Sequence, residues 1–493
     1  VNARTPSLIL VATFLALASP ARAQTPATLP SVAPTKVPIV TPVAEGDEWN
    51  ADQIVALQSD LDALIAGAPA LRGAHVGVHV VVTRSGATLY SRNADEEFQP
   101  ASTFKLVVGS AALDKLGRSF RFRTSAYLYN GAVLLRAGGD PFLSAADLDD
   151  FAHTVRAAGI MRFHGLTIDA RRYDRVPYAP GWTWDDFAFD YAAKVSAMTL
   201  EENVVHLYLT PGALPGFAAK VSMQPLPLRI GGMARTLPRG SETTADVARD
   251  PDGRLVLTGG IALGTVAHSI DAAVPNPEGY AFAVAVARLR AHGVTLAPPF
   301  ANPAKMLAAQ NARTLWSHLS LPLALIMPKF WLPSDNLVGE LLLKELGYAT
   351  GGAPGSSAKG IAYEKAWMRT LGIDPATMTL ADGCGMSQYD RVTPRDLVTI
   401  LQHDWNGPYR SIVLDALPVG GSRGTIEGIS GTLAAGRVFA KTGSMMHVRG
   451  LAGYLATERH GAVTFAFSVD DWNGAYPDLA QLRAAVLSRI VGD

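Results

Sequence analysis

Pro100-Ala101-Ser102-Thr103-Phe104-Lys105 is the stretch on which the reading of this 493-residue chain turns. The proline opens a helix, a serine follows, and a lysine stands three residues further on, so that at helical spacing the two side chains share a face. A serine hydroxyl is a poor nucleophile until a base takes its proton, and a lysine is such a base only when desolvation or a neighbouring cation lowers its pKa. Ser-x-x-Lys alone decides nothing, since about one match is expected by chance at this length. Ser356-Ser357-Ala358-Lys359 is a second match and Ser91-Arg92-Asn93 a stray Ser-x-Asn; both lie in stretches that read as loops.

Order gives the motif weight. Ser334-Asp335-Asn336 follows, opening a helix with apolar Leu337, Val338, Leu341, Leu342 and Leu346. Lys441-Thr442-Gly443 then ends the strand-like run Arg437-Val438-Phe439-Ala440. Ser102 supplies a nucleophile, Lys105 a base, and Lys441 the cation that would depress the base's pKa. Ser334 can relay a proton to a leaving amine, and Asn336 can bond the carbonyl of an acylating residue. This is a set for attacking an amide carbonyl through an acyl-enzyme without histidine. The backbone N–H groups of Ser102 and Ser444 are candidates for an oxyanion hole. Lys441 and the Thr442 hydroxyl suit a substrate carboxylate, and Gly443 leaves the strand edge open to a substrate strand. Taken singly, Ser102 and Ser334 read as helix caps and Lys441 as a solvated strand charge.

Hydrophobic content of 48%, charged content of 17% and a length of 493 residues describe a globular chain of two or three domains. Lys plus Arg equals Asp plus Glu at 43 each, which offers no argument for nucleic acid or an anionic membrane. Arg4, the apolar run 8–17 and Ala21-Arg22-Ala23 read as a signal peptide over 1–23, cut after Ala23, which implies a periplasmic or secreted protein. Residues 24–45 read as a Pro/Thr/Ala-rich extended linker. The one cysteine, Cys384, excludes an internal disulfide and reads as a small loop or core residue. The eleven histidines show no His-Glu-x-x-His, His75 and His79 read as structural strand residues, and neither a metal nor a cofactor is expected.

Ile54, Leu57, Leu61 and Leu64 predict a helix that Asn50 can cap; Val76, Val78, Val80 and Val82 predict a strand that Gly86 turns into a second. Asn130-Gly131 marks a hairpin, and short strand-like runs fill the stretch to about 303, with helical windows at 144–158 and 282–293. The chain ends in three strands and a helix carrying Leu479, Leu482, Val486 and Ile490, which packs on the sheet rather than on a membrane. The chain thus reads as α/β, of the multi-domain α+β kind, with a mainly β insertion.

The three motifs resemble those of penicillin-binding proteins and serine β-lactamases. Their surroundings, Gly139-Asp140-Pro141, Ala179-Pro180-Gly181-Trp182-Thr183-Trp184-Asp185-Asp186, Ser334-Asp335-Asn336-Leu337 and Leu451-Ala452-Gly453-Tyr454, resemble the D-alanyl-D-alanine carboxypeptidase/endopeptidase family of class C low-molecular-mass penicillin-binding proteins, the S13 peptidases. The resemblance implies a transpeptidase-like catalytic domain, 46–125 and 304–493, interrupted by two nested small domains over 126–303. It implies a serine D,D-peptidase acting on peptidoglycan peptides and acylated by β-lactams, with at most peripheral membrane contact. It also implies that Trp182 and Asp185 hold the free ammonium end of a diamino acid, with Met445 as an apolar wall. A serine β-lactamase and a non-catalytic penicillin-binding receptor are the alternatives. Three positions depart from the family pattern: Cys384, Gln388 in place of an arginine, and Arg423 in place of an aspartate before Gly424-Thr425.

Overall fold

The computed structural model describes residues 37–296, 312–426 and 428–492. The expected leader at 1–23, the first part of the linker and the expected return of the catalytic domain at 304 lie outside them. Asn50 caps the helix Ala51–Ala66 in a reciprocal box: Gln53 N donates to Asn50 Oδ1 at 2.9 Å, and Asn50 N to Gln53 Oε1 at 3.0 Å. His75–Val82 and Thr88–Arg92 then form the expected strand pair around Gly86. Ser91 and Arg92 therefore belong to a strand, not to the loop expected of them.

The two ends of the chain build one sheet. Its five antiparallel strands run in the order Val438–Met445, Val448–Ala456, Ala462–Asp470, His75–Val82, Thr88–Arg92. Six of the eight residues in His75–Val82 are buried, because helices cover both faces of the sheet. Ala51–Ala66 and the terminal helix Tyr476–Val491 seal one face through Leu57, Leu61, Leu479, Val486 and Ile490. Lys105–Leu116 and Pro394–Asn406 line the other, with Leu106, Val107, Leu397 and Leu401 at the centre. The described part of the linker is not a free tether: Val40 N donates to the Gly436 carbonyl at 2.9 Å, and Ala462 N to the Val43 carbonyl at 2.8 Å.

The middle of the chain carries its own core. Asn130 and Gly131 both have positive φ, +46° and +75°, and turn Arg123–Tyr129 into Ala132–Arg136. Gly165–Asp169 and Arg313–Leu319 complete that four-stranded sheet, so both crossings of the chain into this region are tied together. Ser144 caps Ala145–Ala157, while Pro277–Ala291 begins ahead of its expected window because Asn276 caps it and Pro277 needs no hydrogen bond there. Several short sheets separate these two helices. Leu337 and Leu341, from the helix Asn336–Gly351, join this core, so the middle region docks on the element that carries a catalytic motif. The second Ser-x-x-Lys match does not lie in a loop either: Ser356 caps the helix Ser357–Thr370, and Lys359 Nζ donates to the carbonyls of Gly351, Gly352 and Pro354.

Asp404 is buried in Pro394–Asn406, where it accepts from Ser110 Oγ at 2.6 Å. Burial raises its carboxyl from 3.8 to about 7. The folded state then holds this proton more tightly than the unfolded chain, so the associated stability is complete below about pH 4 and is lost as pH rises through 7. Asp404→Asn should remove that loss, and urea titrations between about pH 4 and 8 should show a flatter curve than wild type. An unchanged slope would clear Asp404 of the effect.

Candidate active site

Ser102 stands in the tight 3-10 turn Ala101–Phe104, just before the α-helix Lys105–Leu116. Close backbone packing holds that turn. A Cβ on Gly443 would lie 2.6 Å from the Pro100 carbonyl oxygen, and one on Gly450, its partner across the sheet, 2.9 Å from Thr103 Cγ2. The missing side chain of Gly443 thus admits the Ser102 turn, which corrects the expectation that it leaves room for a substrate strand. On the opposite side, Gly385 has φ +81° and a Cβ there would meet the Ala101 carbonyl oxygen at 1.9 Å.

Lys105 is fully buried. Its Nζ lies 2.8 Å from Ser102 Oγ, 2.6 Å from Asn336 Oδ1 and 2.8 Å from the Cys384 carbonyl oxygen. The last two can only accept. A neutral amine directs its two N–H groups at them and turns its lone pair to the Ser102 hydroxyl, which is the geometry of a general base. Burial lowers the Lys105 pKa, against the pull of Cys384, Asp382, Asp335 and Glu340.

Lys441 is equally buried and donates to Ser334 Oγ at 2.8 Å and to the Thr442 carbonyl at 2.9 Å. Burial first, and then the charge of Lys105, hold it well below the ordinary lysine value. Lys441 was expected to depress Lys105; instead, burial is the first cause at both lysines, and the repulsion shows at Lys441. Ser334 has φ +67°, an uncommon conformation for a side-chain-bearing residue, and Asp335 caps the next helix by accepting from Val338 N at 3.0 Å.

Asn336 bridges two regions. Its Oδ1 meets Lys105, and its Nδ2 donates to the Tyr191 carbonyl at 2.8 Å and to Met386 Sδ at 3.1 Å. Thr442 opposes Leu451 and so lies on the sheet face away from Lys441, with its Oγ1 2.5 Å from Thr425 Oγ1. Ser444 is exposed on the same strand, and Met445 is half-buried at its end.

Asp382 organises the loop beneath Ser102, a role that sequence reasoning missed although Gly383 and Gly385 mark the turn. Its Oδ1 accepts from Cys384 N at 3.0 Å and Gly385 N at 2.6 Å; its Oδ2 accepts from Ser387 N at 2.7 Å and Trp182 Nε1 at 2.9 Å. Trp182 is therefore anchored to this loop, while Asp185 stands exposed in the short helix Trp184–Ala188. The two are not joined by a contact. Asp186 is the engaged neighbour, accepting from Thr183 Oγ1 at 2.5 Å and from the Tyr191 hydroxyl at 2.9 Å. Glu340, Asp382 and Cys384 bring their donor atoms within 4.8 Å of one another, but the N–H groups around Asp382 leave its oxygens occupied. Of the three departures, Cys384 is buried, Gln388 is exposed, and Arg423 donates to the Leu414 carbonyl at 3.0 Å.

Comparison with known proteins agrees with this geometry. The model of the D-Ala-D-Ala carboxypeptidase 3 (S13) family matches residues 57–487. The chain is 32% identical over 459 residues to a D-alanyl-D-alanine carboxypeptidase of Actinomadura sp. (strain R39), covering 88% of this chain and 84% of the relative. It is 25% identical over 417 residues to the D-alanyl-D-alanine carboxypeptidase DacB of Haemophilus influenzae, covering 81% and 86%. The crystal structure of penicillin binding protein 4 (dacB) from Haemophilus influenzae superposes with a TM-score of 0.75 at 24% identity, over 87% of this chain and 98% of that one, and shares its fold.

Gly443→Val should force the Lys441 strand away from the Ser102 turn. We expect a loss of roughly 1–3 kcal/mol in urea unfolding, together with a loss of turnover larger than stability explains. Ser356→Ala removes a helix cap, which costs about 1 kcal/mol, and should leave turnover intact. Equal turnover in the two variants would contradict this packing argument.

Proposed function

Since this chain belongs to the D-Ala-D-Ala carboxypeptidase 3 (S13) family, we propose that it is a serine D,D-peptidase of peptidoglycan peptides with Ser102 as its nucleophile. The observation that carries the assignment is the Lys105 amine, 2.8 Å from Ser102 Oγ with two acceptor-only neighbours. Ser102 Oγ attacks the carbonyl carbon of the scissile D,D-amide as its proton passes to Lys105 Nζ. The carbonyl π pair moves to oxygen, where the N–H groups of Ser102 and Ser444 receive the charge. Collapse breaks the C–N bond, and the leaving amine takes a proton through Ser334 from Lys441, which lie 2.8 Å apart. The proton taken up by Lys105 then passes to Lys441, so that both lysines regain their starting states; water attacks the ester carbonyl as Lys105 takes its proton, and Lys105 returns that proton to Ser102 Oγ as the C–O bond breaks.

β-Lactams present the same carbonyl chemistry and would form a stable ester on Ser102. The family match over residues 57–487 supports the peptidase over a β-lactamase, and Lys105 in contact with Ser102 together with Lys441 in contact with Ser334 supports an enzyme over a receptor. Of the strand motif, Lys441 is the residue we assign to the substrate's terminal carboxylate; the expected part of Thr442 is withdrawn, since its hydroxyl meets Thr425 on the other face of the sheet. We assign the diamino-acid end of the peptide to Trp182, Asp185 and Met445, a reading supported by the anchoring of Trp182 to Asp382 beneath Ser102. The division at 46–125 with 304–493 and 126–303 remains our working domain map, corrected by counting the strand Arg313–Leu319, which pairs with Arg123–Tyr129, with the middle region. A periplasmic or secreted setting follows from the leader read at 1–23; among the described residues no helix is long and apolar enough to cross a membrane.

Ser102→Ala should abolish labelling by a fluorescent penicillin and cleavage of muropeptides while the unfolding curve stays as in wild type. Undiminished labelling would refute the nucleophile. Lys105→Ala should slow acylation by about 10²–10⁴-fold, and Lys441→Ala should in addition weaken substrates ending in a free carboxylate. Both rates can be read by stopped-flow acylation.

Asp185→Ala should reduce turnover of peptides with a free diamino-acid amine far more than of capped analogues, whereas amidating the second substrate carboxylate should cost little because Gln388 carries no charge. Equal losses on free and capped peptides would remove Asp185 from the pocket.

A further inference from the structure

Behind the Lys441 strand, on the sheet face turned away from Ser102, two arginines lie near one another with no carboxylate paired to either among the described residues. Arg449 opposes Ser444 in the strand Val448–Ala456, and Arg483 comes from the terminal helix Tyr476–Val491. Leu451, two residues beyond Arg449, opposes both Thr442 and Phe467, so these side chains share one face. The Arg483 guanidinium carbon is 5.6 Å from the Phe467 ring, and that of Arg449 is 4.4 Å from Trp472 and 5.8 Å from Tyr476.

Aromatic faces cover the guanidinium planes but leave their edges unmet. Arg449 Nη1 donates to the carbonyls of Met445 and Val448. Arg449 Nε, Arg483 Nε and Arg483 Nη2 are buried without an acceptor. The ionisable groups that act on Arg483 are Tyr476 and Arg449 itself, and among the described residues no carboxylate pairs with either arginine. A buried lysine in this position would lose its proton, but a guanidinium keeps its charge. Burial and the repulsion of Arg449 nonetheless draw Arg483 down to about 10, opposed only by Tyr476. Unmet buried donors of one sign ask for a water or an ion of the other.

Space and access are both present. A small cavity of about 10 Å³ is lined by Arg483, Thr442, Leu451, Ile429 and Tyr476, which is room for one water-sized body. It shares Tyr476, Ala480 and Ala484 with an open groove of about 490 Å³ along the terminal helix, a route from solvent. We propose that Arg483 holds a small monovalent anion in this cavity, with Arg449, outside the lining and 5.8 Å from the Tyr476 ring, adding positive charge nearby. A buried guanidinium whose donors lack an acceptor favours an anion over water, and the small cavity favours a small one. Because Thr442 lines the same cavity, the occupant braces the strand that presents Lys441.

Thermal melts of the wild-type protein in sodium chloride or bromide, against sodium gluconate at constant ionic strength, should show a saturable rise in Tm. Arg483→Met should lose that rise. Wild-type crystals soaked in bromide should give an anomalous peak beside the Arg483 guanidinium, in the cavity that Thr442 and Leu451 also line. Absence of that peak, or the same halide dependence in Arg483→Met as in wild type, overturns the proposal. Should Arg483→Met fail to fold, the bromide map decides together with Arg449→Met, which should weaken the halide effect.

Discussion

Two lysines buried side by side are the constraint around which this protein is arranged. Lys105 and Lys441 are both sealed from solvent; burial disfavours the charge of each, and the charge of Lys105 further disfavours that of Lys441. Water would relieve the pair, and the fold excludes it by pressing a turn, a sheet strand and a loop into backbone contact. Gly385, Gly443 and Gly450 are the positions where that contact leaves no room for a side chain. Tight packing and proton chemistry are therefore one requirement here: a dry site lets a lysine give up its charge and offer the serine a free amine.

Neutralising so dry a site falls to carboxylates lying deeper. Asp382 gathers four N–H donors into one loop, and the loop's Cys384 carbonyl then faces Lys105. Burial pushes Glu340 up to about 8 and Glu364 well above its ordinary range, so these two acids stay protonated near neutrality. Trp182 and Tyr191 extend the arrangement into the middle region, one bonded to Asp382 and the other to Asn336. That region is thus a wall of the site as well as an insertion.

Much of this was legible in the sequence. Ser102, Lys105, Ser334, Asn336 and Lys441 were found from the motifs, and they converge because helical spacing and strand ends are local properties. The hairpin at Asn130-Gly131 and the helix capped by Asn50 followed from turn and cap chemistry that a few residues decide. What stayed hidden depends on distant partners. Asp382 looks like any turn aspartate until Trp182 arrives from 200 positions away. The reason for Gly443 could not be read without knowing that Pro100 lies beneath it. Thr442 read as a neighbour of Lys441 because sequence hides which face of a sheet a residue serves. Ser91 and Ser356 were misjudged because polar composition reads as loop, while register and capping place them in or beside regular structure.

The closure of the sheet by both ends of the chain has a temporal meaning. Val78 pairs with Phe467 and Lys441 with Ala452, so the strand that presents the second lysine cannot dock until the last hundred residues have been made. The middle region, with a core of its own, can condense earlier as a unit. Contacts of such long sequence separation form slowly, since loop closure precedes any gain from pairing. During synthesis Ser102 exists without the pocket that makes it reactive. A hydrolase assembled in this order is inert as a nascent chain and becomes competent in a single late step, when its final strands slide into place.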